Sequence, residues 1–514
     1  METPDAPQHR ESRKMKTNKI LFVYPNTANS PNIPNAIAIL AGIAKNFSWD
    51  MDYFDTYIFD KTQDSMKDRE SSGEFKPSER LASISLKLID NLISELQKKM
   101  DTFKPSIVAI SCISLEYEFL LTFFPAVRIP KETLVLIGGI HATLKPDEVI
   151  STDLFDLVCA GEGEEAFVEI LAKFEKGQDL SDIKNVYFRD RNRGAITRNP
   201  RRKLLDENEL WQNTLDYSLF DESYFQYPFD GKMYRRYSFE VARGCPYDCT
   251  YCGNTSLKEA NKGLGRFVRT RPIESIKKEM KILIDDYGIE LVYLEDECFL
   301  AHTTSWLKDL AEWYGREIKK PFIAQTRPDS VTEAKIEILK QMNAPFFQVS
   351  MGVESGSEKI LFEVCNRRTK IPKIIESFDL LHKHNIRTCA FFMLGFPYET
   401  REDIFKSIRL CRRIKPTIAI VSIFQPMAGQ KLTEVCIREG YITGNELSLT
   451  FTSGSILKMP QISSEELTNI RRVFLLYATL PEEYYPEIEK CEKNYYGNKD
   501  LYEELVNLKW SVSR

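Results

Sequence analysis

Apolar residues along the chain fall into two rhythms that meet near residue 237. In the first, the runs KILFVYP (19–25), DMDYFD (50–55), PSIVAISC (105–112), TLVLIGG (133–139) and FDLVCAGEGE (155–164) are separated by segments long enough for helices. Runs that are apolar at nearly every position predict strands buried on both faces, so this half is expected to be a doubly wound, Rossmann-like α/β domain. Two of the strands run into glycine-rich turns, GGIHAT and AGEGEE. The stretch RLASISLKLIDNLISELQKKM (80–100) has the apolar spacing of an amphipathic helix.

From about 191 to 236 arginine, aspartate and aromatic residues mix without a period, which predicts a linker lying over its neighbours. The second rhythm then supplies six candidate strands: YSFEVARG (237–244), IELVYLEDE (289–297), PFIAQTR (321–327), FFQVSMGVES (346–355), RTCAFFMLGFP (387–397) and TIAIVSIFQP (417–426). Helical segments lie between them, and in one of these Ile273, Ile276, Met280, Leu283 and Tyr287 share a face. Six such units describe a partial (β/α)6 barrel, whose chemistry gathers at the C-terminal ends of its strands. The expected divisions are a disordered N-terminus over 1–17, the Rossmann-like domain over 18–190, the linker over 191–236, the barrel over 237–440 and a small helical C-terminal region over 441–514. Six tyrosines from Tyr477 to Tyr502 either line a pocket or, more commonly for such residues, pack helices together.

At 514 residues the chain is too long for one ordinary core, in keeping with two large domains. Its composition, 43% hydrophobic and 28% charged, is that of a globular protein. A net charge of −5 argues against a broad nucleic-acid footprint. The polar start METPDAPQHRESRKMKTNKI lacks the apolar stretch of a signal peptide, and no run of 18 apolar residues occurs, so no membrane span and a cytoplasmic location are expected. Eleven cysteines in that setting read as reduced thiols rather than a disulfide framework.

Three of those thiols stand together in VARGCPYDCTYCGN (241–254), at Cys245, Cys249 and Cys252, just after the first barrel strand. A structural zinc site wants four closed ligands, and no neighbouring Cys or His pair completes the set. Three thiolates suit a four-iron cluster that keeps one iron open. The loop resembles the C-x3-C-x2-C signature of radical S-adenosylmethionine (SAM) enzymes, including the aromatic Tyr251 before the last cysteine. That resemblance implies a [4Fe-4S] cluster, SAM bound at the open iron, and one-electron cleavage of SAM to methionine and a 5'-deoxyadenosyl radical. It also implies an external one-electron reductant of flavodoxin or ferredoxin type.

Further segments carry the same likeness over about 237–440. YLEDECF, with Glu295 and Asp296, resembles the acidic strand end that meets the SAM amino group, although acids at a strand end are more often a solvated rim or a helix cap. Ser350, Glu354 and Ser355 in SMGVESGSEKIL, Gly395 in FFMLGFPYET and Gln425 in QPMAG stand where relatives touch SAM. Cys298, Cys365 and Cys389 are either redox residues or, more commonly, buried structural thiols.

The first half resembles the cobalamin-binding domain joined to one large branch of these enzymes. In that branch Gly138, Gly139 and His141, with Gly161, Glu162 and Gly163, fall on turns that cradle the corrinoid. No Asp-x-His-x-x-Gly segment is present, so no histidine is expected on the cobalt. The branch implies methylation of an unactivated carbon on a small-molecule or peptide substrate, with methylcobalamin as the methyl donor. A non-methylating rearrangement, cyclisation or carbon-sulfur bond formation is the alternative, and a corrinoid or redox sensor without turnover is a third.

Overall fold

The computed structural model describes residues 18–61, 65–75, 86–212, 215–444, 446, 451–452 and 454–512. The expected disordered N-terminus, 1–17, lies outside them. The first sheet contains β1 (Lys19–Tyr24), β2 (Asp50–Asp55), β3 (Ile107–Ser111), β4 (Leu134–Gly138), β5 (Leu157–Cys159), β6 (Val186–Arg189) and β7 (Ile196–Arg198), in the order β2-β1-β3-β4-β5-β6-β7. β1 to β5 are parallel, and β6 and β7 return antiparallel at one edge. Ile20 and Phe22 of β1 join one apolar cluster while Leu21 and Val23 join another, so both faces are covered. That two-sided burial is why the run is apolar at every position. The winding reverses between β1 and β3, and in such sheets a ligand crevice lies beyond the strand C-termini at that point.

The second sheet contains β8 (Gln226–Phe229), β9 (Lys232–Glu240), β12 (Leu291–Glu295), β13 (Phe322–Thr326), β14 (Phe347–Glu354), β15 (Arg387–Leu394) and β16 (Ile418–Ile423), in the order β16-β15-β14-β13-β12-β9-β8. Between β9 and β12 stands a short antiparallel ribbon of β10 (Ala242–Arg243) with β11 (Arg269–Thr270). The six expected barrel strands, β9 and β12 to β16, are parallel, and β8 adds an antiparallel edge. Phe239, Leu294, Ala324, Val349 and Met351 face the surrounding helices. Residues of the opposite parity lie side by side on the concave face: Glu240 beside Glu295, Gln325 beside Ser350, and Ser350 beside Cys389. A closed barrel fills these positions with branched aliphatics. Here the positions toward the strand C-termini are polar, so that end of the concave face is not a packed core, whereas Leu291 and Ile323 of the same parity join Phe229 in a small apolar cluster toward the other end.

The open edge of the half-barrel is met by side chains instead of another strand. The Val421 N–H of β16 donates to Glu74 Oε2 at 3.2 Å, and the Val421 carbonyl accepts from Arg69 Nη1 at 3.2 Å and Arg471 Nε at 3.0 Å. Glu74 pairs with both arginines. Arg69 and Glu74 belong to a connection of the first unit, so that unit blunts the edge on which the barrel would otherwise expose unpaired backbone.

Two expectations change. The 191–236 stretch is irregular over most of its described residues between β7 and β8, but its two ends supply β7 to the first sheet and β8 and the start of β9 to the second. Its aromatics join the two units, with Phe220 5.1 Å from Tyr53 and Tyr217 5.1 Å from Tyr237 by ring centroids, in one continuous cluster. Burying one such ring contributes about 2–3 kcal/mol. Aromatics spaced to fit two partners show no period of their own. The amphipathic helix over 80–100 in fact spans Leu92–Phe103, with 80–85 outside the described residues. The Lys87 backbone instead bridges Phe59 in a strand-like pair, which a helix through 87 would forbid.

The C-terminal region is helical. Tyr477 and Tyr502 are buried, and the Tyr477–Tyr485 and Tyr495–Tyr502 rings meet at 5.0 and 5.2 Å, so these tyrosines pack helices. Among the described residues no helix is long and apolar enough to cross a membrane.

Candidate active site

The three-cysteine loop leaves the end of β9 through the β10–β11 ribbon. Gly244 has φ +90°, and a Cβ there would lie 2.5 Å from the Phe267 carbonyl oxygen, so only glycine turns the chain into the loop. Thr250 anchors the loop to the barrel, donating through N to Cys365 O at 3.2 Å and through Oγ1 to Val364 O at 2.6 Å. Thr255 Oγ1 donates to Cys249 O at 2.7 Å, and the helix Gly253–Ala260 starts directly after Cys252. Cys249 is buried and Cys245 and Cys252 are half-buried.

Among the described residues, only Glu333, Glu337 and His384 gather three ligand atoms within 4.8 Å. At least one pair of the three cysteine sulfurs therefore stands further apart than the roughly 3.8 Å that tetrahedral thiolates at about 2.3 Å from one zinc would require. Burial pushes the Cys245 thiol up to about 12 and the Cys252 thiol up to about 11. Such thiols become thiolates when a cation binds.

Two arginines at Cys249 were not foreseen as site residues. Arg327 Nη1 lies 3.5 Å and Arg367 Nη1 4.0 Å from Cys249 Sγ. Arg327 stacks on the Tyr247 ring at 3.8 Å and pairs with Asp329. Arg367 donates to Tyr251 Oη at 3.3 Å and to Gly352 O at 2.5 Å, and lies 3.6 Å from Glu354 Oε1. These guanidinium groups bring positive charge to the Cys249 end of the loop. Arg327 closes the strand run PFIAQTR, whereas nothing in the NRRT stretch around Arg367 signals its role.

The expected SAM residues divide. Glu354 holds a left-handed backbone, φ +65°, at the end of β14, and burial raises its carboxyl despite Arg367. Glu295, exposed at the end of β12, opens onto the concave face and accepts from Asn35 Nδ2 of the first unit at 3.3 Å, while desolvation by the surrounding chain raises its carboxyl. Asp296 turns away: it pairs with His302 and accepts from the Cys298 N–H at 2.9 Å, so it serves the barrel wall. Its neighbour Glu297, also past the end of β12, is the acid whose charge reaches Cys245 and Cys252. Ser355 is fully buried, accepts from Ser357 N at 3.2 Å and lies 3.4 Å from Ser407 Oγ, so it fastens β14 to the helix Arg401–Ile414. Ser350 is buried on the concave face and accepts from Gln348 Nε2 at 3.2 Å. Gly395 has φ +81° and donates its N–H to Glu399. Gln425 donates to Gly454 O at 3.3 Å, and its Oε1 has no partner among the described residues.

In the first unit, Gly138 ends β4, and Gly139 has φ +98°, where a Cβ would lie 2.5 Å from Cys112 O. Gly161 has φ +133°, and its N–H donates to Thr143 Oγ1 at 3.1 Å. Gly163 precedes the helix Glu164–Glu175. Two residues depart from the expected cradle. His141 is fully buried, stacked on Tyr117 at 4.0 Å with Nδ1 3.0 Å from Ser114 Oγ, and burial lowers it to about 4. It packs the turn from beneath. Glu162 reaches into the second unit, accepting from Arg269 Nη1 at 2.9 Å and Nη2 at 2.6 Å and from Arg243 Nη1 at 3.2 Å. Burial opposes its charge, but Arg269 and Arg243 prevail and hold its carboxyl below the ordinary range.

Sequence reasoning also missed two buried acids at the carboxyl ends of the first sheet. Burial pushes Asp55 up to about 6 and Glu116 up to about 7. Asp55 accepts from Tyr53 Oη and Tyr224 Oη, each at 3.0 Å, and Glu116 accepts from the Ile113 N–H at 2.8 Å.

The donor set fits a polynuclear iron-sulfur group: three thiols on one loop, spread wider than a single ion allows, beside two guanidinium groups. The glycine turns at the ends of β4 and β5 fit a bulky ligand beyond the first sheet, with no described histidine of that unit exposed to meet it.

Comparison with known proteins agrees with both halves. Residues 239–411 match the radical SAM superfamily and residues 81–171 match the B12 binding domain. An uncharacterized methyltransferase of Pyrococcus horikoshii is 24% identical over 408 residues, covering 77% of this chain and 85% of that protein. The anaerobic magnesium-protoporphyrin IX monomethyl ester cyclase of Rubrivivax gelatinosus is 22% identical across 65% of this chain, which spans only 58% of the cyclase. Among solved structures, the radical SAM methyltransferase TsrM of Kitasatospora setae, with cobalamin and a [4Fe-4S] cluster bound, superposes with a TM-score of 0.58 at 15% identity, covering 84% of this chain and 76% of that one. That last likeness is one of fold.

Proposed function

This chain belongs to the radical SAM enzymes that carry a cobalamin-binding domain, and from that premise we propose that it methylates an unactivated carbon of a small-molecule or peptide substrate. The observation that carries the reading is the loop of Cys245, Cys249 and Cys252, flanked by Arg327 and Arg367 and joined through Glu162 to the B12 unit. The three cysteines would hold a [4Fe-4S] cluster with one open iron. The turns at Gly138–Gly139 and Gly161–Gly163 would hold the corrinoid. SAM would lie across Tyr251, Glu295, Glu354, Gly395 and Gln425, with Ser350 beneath. Once bound, these groups supply one-electron cleavage of SAM and a transferable methyl group.

The chain's own part is positioning and charge. Arg327 and Arg367 place two positive charges beside Cys249 Sγ. The Arg367–Glu354 pair fixes the guanidinium that also reaches Tyr251, whose ring lies 5.5 Å from Phe396 and shields the loop from water. Asn35 and Glu295 meet across the two units, so a substrate held there would face both cofactor regions. A flavodoxin- or ferredoxin-type protein is the proposed electron donor.

The relationship to the cyclase favours a second reading, ring formation without methyl transfer. The test uses anaerobically reconstituted enzyme, a reductant and SAM carrying a labelled methyl group. Label in the product together with 5'-deoxyadenosine supports the methyltransferase, and 5'-deoxyadenosine with unlabelled product supports the second reading. Cys249→Ala should abolish 5'-deoxyadenosine release, and release at the native rate would refute the cluster assignment.

A further inference from the structure

We propose that Glu162 is a positioning residue that makes corrinoid binding and SAM binding interdependent, a role that rests on the functional reading above. Glu162 sits between Gly161 and Gly163 on the turn that follows β5, on the B12 side of the molecule. Its carboxylate does not face that side. It takes a two-armed contact from Arg269, at 2.9 and 2.6 Å, and a third bond from Arg243 at 3.2 Å. Arg243 also contacts Glu164 at 2.8 Å and Glu240 at 3.3 Å, so one guanidinium ties the start of the helix Glu164–Glu175 to the end of β9.

Arg243 and Arg269 are opposite each other on the β10–β11 ribbon. Gly244, wedged against Phe267 O, joins that ribbon directly to Cys245. From the turn to the first cluster cysteine the path is therefore one ionic contact and two peptide links. Arg269 is 2% exposed, so water does not easily substitute for the carboxylate. A planar, two-armed arginine contact resists rotation as well as separation. A corrinoid that shifts the 161–163 turn must move the ribbon or break this contact, and either event alters the loop to which SAM is delivered. Plain adhesion between the units makes a different prediction: loss of Glu162 would weaken both ligands without changing how each depends on the other.

The test measures that dependence in the oxidised, anaerobically reconstituted enzyme, where SAM is not consumed. Hydroxocobalamin affinity is determined by equilibrium dialysis with and without saturating SAM, and SAM affinity with and without hydroxocobalamin. In the wild type the two ratios should agree, as thermodynamic linkage requires, at about fivefold or more. In Glu162→Gln, with wild-type iron content and thermal midpoint, the ratio should fall below about twofold. Arg269→Lys keeps a cation but loses the two-armed contact, and should show the same loss even if the glutamine variant folds poorly. A wild-type ratio near one, or variant ratios equal to the wild type's, overturns the proposal. Wild-type protein that retains no corrinoid overturns it too, and counts against the functional reading itself.

Discussion

Glu399 shows how one buried carboxyl shapes the turn that closes the barrel top. It is fully buried, its Oε2 accepts from Gly395 N at 2.6 Å and Phe396 N at 3.3 Å, and its Oε1 has no partner among the described residues. Burial pushes its pKa from 4.5 to about 8. Between those values the unfolded chain has released the proton and the native protein holds it, so stability falls as pH rises through this window. The slope is at most about 1.4 kcal/mol per pH unit from this group. Glu399→Gln keeps an acceptor for both N–H groups and stays neutral throughout. Urea unfolding between about pH 5 and pH 8 should therefore show a smaller loss of stability in the variant. Equal losses in both proteins would mean that Glu399 is ionised in the native state. Asp55 and Glu116, raised to about 6 and about 7, leave a residual slope of the same sign in either protein. Glu399 lies in the run FFMLGFPYET, but its burial and the neighbouring Asp403 and Ser355 that act on its carboxyl follow from the folded arrangement.

At the scale of elements, the edge of the half-barrel is the informative case. Glu74, Arg69 and Arg471 form a triad whose side chains are 1%, 12% and 3% exposed, and together they satisfy the Val421 backbone of β16. Removing one partner of a buried ionic group leaves the others uncompensated, at a cost of about 3–5 kcal/mol. Glu74→Ala also strands the Val421 N–H. Its urea midpoint should drop accordingly, and a change under about 1 kcal/mol would show that the triad is solvated in solution. The six parallel strands were legible because each carries its own apolar run. The triad was not, since Arg471 and Val421 stand hundreds of residues from Arg69 and Glu74, and each charged side chain alone looks like surface charge.

The two units of the molecule share one apolar cluster, through Tyr217, Phe220, Tyr224 and Phe225, and are clamped again at Glu162 and at Glu74. Independent domains joined by a loose linker would unfold in separate steps. This arrangement predicts a single calorimetric transition for the cofactor-free chain, and two resolved transitions would show that the shared cluster is weak. On the proposed function a fixed relation between the units matters, because the corrinoid side and the cluster side would confront one substrate.

Local and periodic information was enough for part of this picture. Apolar periodicity set the order and type of the strands, and the Cys245, Cys249 and Cys252 spacing marked the loop proposed to hold the cluster, because these signals lie within a few consecutive residues. Only the tertiary structure decided which side chains meet. It placed Arg327 and Arg367 at Cys249, turned Asp296 toward His302 and Ser355 toward Ser407, buried His141 against Tyr117, and sent Glu162 to Arg243 and Arg269. The physical reason is the same in each case. A strand or turn specifies where its own side chains point, but the partner that satisfies a buried charge comes from a distant segment, and its identity depends on how the whole chain packs.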